Sequence, residues 1–164
     1  MKIRFALIPL VAAFIVAGCG QKDASTASGT AAAGAPAGPR EIDLTANDTM
    51  KYDVTALQAK PGEDLKVVLT NAGTTPIEAM GHNWVLLKAG SDAAAFSSAA
   101  VAAKATNYIP ANLQDQIVAK IDLLGPHKSG EVDFKAPTTP GDYPYLCTFP
   151  AHYQVGMHGI LTVK

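Results

Sequence analysis

The sequence is short of cysteine, of excess charge of either sign and of long apolar runs. Two cysteines in 164 residues cannot build a disulfide scaffold. With 13 basic and 14 acidic residues the formal net charge is −1, so there is no clustered cationic surface to neutralise phosphates, and nucleic-acid binding through a basic face is excluded. The most apolar stretch, residues 5–17, would span about 20 Å as a helix against a hydrocarbon core of roughly 30 Å, too short for a transmembrane helix. No internal repeat is visible, and the alanine-rich run 93–105 has no second helical segment of comparable length, which argues against a solenoid or a helix bundle. What is abundant is punctuation: 14 glycines and 11 prolines call for many turns or a flexible segment, in a chain long enough for one domain of ordinary size.

The N-terminus reads as an export signal. Lys2 and Arg4 precede the apolar run, which closes in Val16-Ala17-Gly18-Cys19. Small residues before a cysteine resemble the bacterial lipobox, in which that cysteine is diacylated and becomes the mature N-terminus. The resemblance implies a lipoprotein signal over residues 1–18 and lipidation of Cys19, and two acyl chains suffice for stable membrane attachment. Loss of Lys2 and Arg4 with the signal leaves the mature chain acidic. Residues 19–39 then form a lipid-anchored linker. Beyond Cys19 the linker holds no large apolar side chain and cannot bury a core. As a coil it spans roughly 25 Å on average and about 65–70 Å at full stretch. The localisation expected is the periplasm or cell envelope, tethered to the membrane. Gly20 after Cys19 points to the outer membrane in a Gram-negative host.

From Arg40 to Lys164 the composition becomes that of a folded domain. Glu41–Thr45, Leu65–Thr70, Val118–Leu124, Glu131–Lys135, Asp142–Cys147 and Gly159–Val163 are short, alternating or β-branched segments that predict strands. Lys60-Pro61-Gly62-Glu63, Asn71-Ala72-Gly73, Gly125-Pro126 and Thr139-Pro140-Gly141-Asp142 separate them as turns. This spacing predicts an all-β, antiparallel Greek-key sandwich of about eight strands. One insertion breaks the pattern: Ser91-Asp92 ahead of the alanine run predicts an N-capped helix, placed as a flap outside the sandwich.

Two short motifs carry chemistry. Met80-Gly81-His82-Asn83-Trp84 supplies one histidine. Cys147-Thr148-Phe149-Pro150-Ala151-His152, continuing to Met157, supplies a cysteine, a second histidine and a methionine within one loop. Singly, each has a bland explanation, since a lone cysteine is most often a small buried hydrophobe and a lone methionine core filling. Together they make one thiolate, two imidazoles and a thioether, a donor set suited to copper cycling between Cu(II) and Cu(I). Cys147 would also be an unpaired thiol in an oxidising compartment, a liability unless metal protects it. His127, in a Gly-Pro-His-Lys turn, and His158, after Met157, read as solvated.

These two motifs, with Asn47-Asp48-Thr49-Met50, resemble the azurin and auracyanin group of the cupredoxins, over roughly residues 41–164. The spacing from His152 to Met157 and the tyrosine after His152 resemble auracyanin in particular. The resemblance implies a type 1 copper site with His82, Cys147 and His152 as equatorial ligands, Met157 as axial ligand and the Gly81 carbonyl on the opposite side. It implies that Asn83 ties the two ligand loops together. It also implies a docking patch of Met80, Phe149, Pro150 and Ala151 around an exposed edge of His152. Three departures from azurin stand out: the spacing to Met157 is one residue longer, the N-terminal disulfide has no counterpart, and Ala151 replaces the usual glycine.

A site closed by four protein donors leaves little room for substrate. The function expected is therefore not enzymatic but the carriage of single electrons by one copper per chain. The partners would be redox proteins such as a cytochrome or a terminal reductase or oxidase, and the carrier would be a monomer. A copper chaperone or storage protein is the alternative, although 4 methionines and no Met- or His-rich cluster fit an exchangeable site poorly.

Overall fold

The computed structural model describes residues 38–164, so the signal, Cys19 and almost all of the linker lie outside the described residues. Eight strands form two sheets. β1 (Arg40–Ala46), β3 (Asp64–Asn71) and β6 (Ser129–Lys135) make the smaller, in the order β1-β3-β6. β2 (Ala56–Ala59), β8 (His158–Val163), β7 (Gly141–Leu146), β4 (His82–Leu87) and β5 (Ile117–Leu124) make the larger, in the order β2-β8-β7-β4-β5. The period-2 pattern is plain in β3, where Leu65, Val67 and Leu69 are fully buried and the residues between them are not. These side chains meet Trp84, Leu86, Tyr145 and Leu161 from the other sheet in one core.

Six strands fall where the sequence predicts them. β2 and β4 are additional. The sandwich is also not wholly antiparallel: β1 pairs with β3, and β2 with β8, in parallel. The chain explains this. It leaves β1, reverses through residues 47–55 into β2 of the other sheet, then reverses again into β3 beside β1. Two reversals restore the original direction. The arch is pinned at both ends: Asp53 accepts from the Thr45 amide at 2.7 Å, the Tyr52 hydroxyl donates to the Asn83 carbonyl at 2.5 Å, and the Tyr145 hydroxyl donates to the Val54 carbonyl at 2.8 Å. Gly159 faces Tyr145 across β7 and β8, and a Cβ there would collide with the tyrosine ring and the Thr55 carbonyl.

Helix α2 (Ala93–Ala100) starts as expected, with the Asp92 carboxylate accepting from the Ala95 amide at 2.9 Å. It is shorter than the alanine run and gives way to two 3-10 turns, Lys104–Thr106 and Ala111–Gln116. The insertion does lie outside the two-sheet core, but it is a third layer on the sandwich rather than a free flap. Phe96 and Ile109 pack on Val85, Leu87 and Leu146 as a second apolar cluster. This explains β4, whose six residues are all buried: one face looks into the sandwich, the other under the insertion. No helix among the described residues is long and apolar enough to cross a membrane.

Candidate metal centre

The registers fix where the two motifs meet. Leu146 at the end of β7 pairs with His158 at the start of β8, so the loop 147–157 caps one end of the larger sheet. β4, paired with β7 by Val85 with Leu146, begins with His82 at the same end. A one-turn helix α1 (Ile77–Met80) delivers the chain to that strand. Gly81 is buried at the junction, where a Cβ would come within 2.8 Å of Leu123 Cγ and 2.9 Å of the Ile77 carbonyl, so a side chain would push His82 out of place.

His82, Cys147 and His152 converge there, each at most 1% exposed, with one donor atom from each lying within 4.8 Å of the others. Cys147 Sγ is 3.4 Å from His152 Nδ1, and the two imidazole centroids are 4.9 Å apart. The loop is tied to itself: the Met157 amide donates to the His152 carbonyl at 2.9 Å, the Cys147 amide to the Met157 carbonyl at 3.1 Å, and the His152 amide to the Phe149 carbonyl at 3.1 Å. Met157 is fully buried in the core beside Cys147. Asn83 clamps the two motifs, accepting from the Thr148 amide at 2.8 Å and donating to the Thr148 hydroxyl at 2.7 Å, with both side chains fully buried.

The electrostatics are those of a dry donor set. Burial pushes the Cys147 thiol up to about 12, against the pull of the Asn83 and Phe149 backbone N–H groups. Burial, and then the neighbouring His82, bring His152 down to about 4. His82 is lowered by burial, with the Asp48 carboxylate and the Asn47 backbone pulling the other way. At neutral pH the metal-free site therefore holds two uncharged imidazoles and a thiol. Neither nitrogen of the fully buried His82 makes a hydrogen bond of good geometry, the Asn47 backbone only approaching the ring. Leaving buried polar atoms unpaired is costly, and an ion accepting lone pairs from the imidazole and the sulfur satisfies the site as no protein group does. The residues fit a soft, partly imidazole-loving metal.

A family model of copper-binding proteins, the plastocyanin/azurin family, matches residues 40–164. The chain belongs to that family. It is 34% identical to auracyanin-B of Chloroflexus aurantiacus over 149 residues, which is 85% of this chain and 62% of the relative, so the chain spans less than two thirds of that protein's length. It is 32% identical to the azurin of Achromobacter denitrificans over 127 residues, covering 76% of this chain and 84% of the relative. Among solved structures, dithionite-reduced auracyanin from Roseiflexus castenholzii superposes with a TM-score of 0.68 at 33% identity, covering 78% of this chain and 99% of that one. The auracyanin A of Chloroflexus aurantiacus, described as a "blue" copper protein, gives 0.68 at 33% identity, covering 77% of this chain and all of that one. The cofactor is copper, one per chain, at the His82, Cys147 and His152 group.

The surroundings of the site are less open than the sequence suggests. Phe149 is buried, Met80 and Pro150 are half-buried, and only Ala151 of these four is exposed. Ala151 has φ +70°, which explains why the azurin pattern carries glycine there. The His152 ring lies under Phe149, centroids 4.8 Å apart, and Phe149 lies against Tyr108 at 5.0 Å. His127 and His158 are exposed, as expected, with His158 stacked on Tyr153 at 4.7 Å. Sequence reasoning missed Tyr108 and Thr148. The only signal for Tyr108 was that it is one of two aromatics, with Phe96, in an alanine-rich insertion, and Thr148 had none beyond following Cys147.

Proposed function

We propose that this chain is a type 1 blue copper protein that carries single electrons between redox partners outside the cytoplasm. The observation that carries this is the His82, Cys147 and His152 cluster, buried, with one donor atom from each within 4.8 Å of the others, and held by a loop that is hydrogen-bonded to itself. Copper supplies the one-electron Cu(I)/Cu(II) couple there when bound. The chain's own part is to fix the donors. Two neutral imidazoles stand ready, and Cys147 alone must lose a proton to ligate. Asn83 and Thr148 hold the two ligand segments in one relation in either oxidation state, which keeps reorganisation small. In this reading Met157 would add a thioether to the donors that hold copper, and Gly81 would offer its carbonyl, with no side chain there to displace His82.

Nothing in the cluster points to substrate chemistry: the donors are sealed at 0–1% exposure, whereas a metal catalyst keeps an open position. The same sealing disfavours a chaperone. The activity proposed is therefore electron carriage and not catalysis, with a cytochrome or a terminal reductase or oxidase as the class of partner. We read residues 1–18 as the signal, Cys19 as the lipidated residue and residues 19–39 as a tether holding the 40–164 domain near a membrane.

The test is optical. Cu(II) added to the protein gives an intense blue absorption from the Cys147 thiolate, and Cys147→Ser abolishes it. A colourless complex with one copper bound would sink the assignment. Met157→Leu keeps the colour and raises the reduction potential, because losing a donor weakens Cu(II) binding more than Cu(I) binding. Acyl labelling of Cys19 tests the anchor separately.

A further inference from the structure

The insertion does more than cover the outer face of β4. From α2, Ser97 receives a hydrogen bond from Gln154 of the copper loop at 3.5 Å, and Tyr153 of the same loop packs into the second apolar cluster beside Phe96. Beyond α2, the chain turns sharply to place Tyr108 edge-on to Phe149, interplanar angle 62°. That turn is strained. Asn107 has φ +52° and Tyr108 φ +63°, two successive non-glycine residues in the left-handed region, where a bulky side chain is an outlier. Such strain persists only where the surroundings over-determine it. Here the Tyr108 amide donates to the Ala103 carbonyl at 2.9 Å, and the Thr106 hydroxyl to the Ile109 carbonyl at 2.7 Å. The result of the strain is one contact chain, Tyr108 to Phe149 to His152, whose outer members are each only 7% exposed and whose inner member is 1% exposed.

We propose that Tyr108 is a positioning residue for the copper site: its ring holds Phe149 down over His152 and so closes the ligand set to small solutes. It acts through Phe149. The ring makes the contact, not the hydroxyl. Removing the ring frees Phe149 to swing outward and opens a path to His152 and Cys147. The inference rests on the copper reading for its purpose, but its geometry belongs to the metal-free chain.

The test uses metal-free, full-length protein. Iodoacetamide alkylation of Cys147 is followed over time by mass mapping of the modified peptide, so that Cys19 does not contribute. Tyr108→Ala speeds alkylation by about tenfold, the population shift expected from losing one aromatic pair, while Tyr108→Phe stays within about twofold of the wild type. In the copper-loaded protein, a chelator strips the metal faster from the alanine variant and at the native rate from the phenylalanine variant. Unchanged fluorescence of the single tryptophan, Trp84, shows that the core is intact. Equal alkylation of wild type and Tyr108→Ala overturns the inference, and so does a phenylalanine variant as fast as alanine. Should the alanine variant not fold, Tyr108→Leu, which keeps apolar volume without an aromatic edge, is read against the same expectation. Because alkylation needs no copper, its failure is distinct from the failure of the blue-copper reading.

Discussion

At one end of the sandwich, where β4 and β8 begin, the side chains that matter are buried: His82, Asn83, Cys147, Thr148 and His152, none more than 1% exposed. At the other end, where β1 and β3 begin, they are charged and in water. Arg40 pairs with Glu63 at 2.6 Å and Lys135 with Asp64 at 2.6 Å. The Arg40 guanidinium also donates to the Gln58 carbonyl at 2.7 Å, joining the two sheets. The charged end ties one sheet to the other, the buried end ties β4 to the loop that follows β7 within the larger sheet, and they do so by opposite physics. Exposed ion pairs are screened and individually weak. Buried hydrogen bonds and buried uncharged titratable groups are not screened, so breaking one leaves a desolvated partner. The end that binds metal should therefore be the more sensitive to single changes and to mild acid.

The largest effect expected is from Asn83→Ala. It leaves the Thr148 amide and hydroxyl unsatisfied in a dry site, and denaturant unfolding of the metal-free protein should show a loss of about 2–4 kcal/mol. Next comes acid. His152 is neutral in the folded protein down to about 4, while in the unfolded chain it takes a proton near 6.5. The unfolded state thus binds more protons between those values, and stability present above 6.5 is lost as pH falls towards 4, by up to about 3 kcal/mol. Thermal unfolding of the metal-free protein at stepped pH should show this limb, and His152→Gln should flatten it.

Relief of backbone strain gives a smaller effect of the opposite sign. Ala151→Gly removes a left-handed alanine and should stabilise the folded protein by about 0.5–1 kcal/mol net of the greater freedom of an unfolded glycine, read as a rise in the unfolding midpoint. The smallest effect belongs to the charged end. Arg40 holds the Glu63 carboxyl at about 2 against a usual 4.5, so its contribution is present above 4.5 and lost as pH falls through 2. With the guanidinium half in solvent, Glu63→Gln should cost no more than about 0.5 kcal/mol at neutral pH and less in high salt. A loss at Glu63 as large as that at Asn83 would erase the distinction between the two ends.

Much of the fold was legible because strand periodicity and turn residues are local signals. β3 shows its buried face in every second residue, and Asp92 announces α2 one residue ahead. β4 was not legible as a strand, because a segment buried on both faces loses the alternation that marks one. The parallel pairings were not legible either, since they depend on two arches whose direction no local window records. At the site, the donors His82, Cys147 and His152 could be named because their chemistry narrows the metal whatever their exact placement. Their covering could not. Tyr108 meets Phe149 across a distance in the chain that only a strained turn and the packing of α2 on β4 and β7 bridge.

The sequence by itself determined which atoms are available to the metal and which short segments become strands, turns and one capped helix, because donor chemistry and backbone preference are properties of neighbouring residues. The tertiary structure decided that residue 82 stands beside residue 147, that their imidazole and thiol are dry and uncharged, and that an aromatic side chain from the insertion closes over them. Those outcomes rest on long-range register and on burial, and burial is a property of the whole packed chain rather than of any stretch of it.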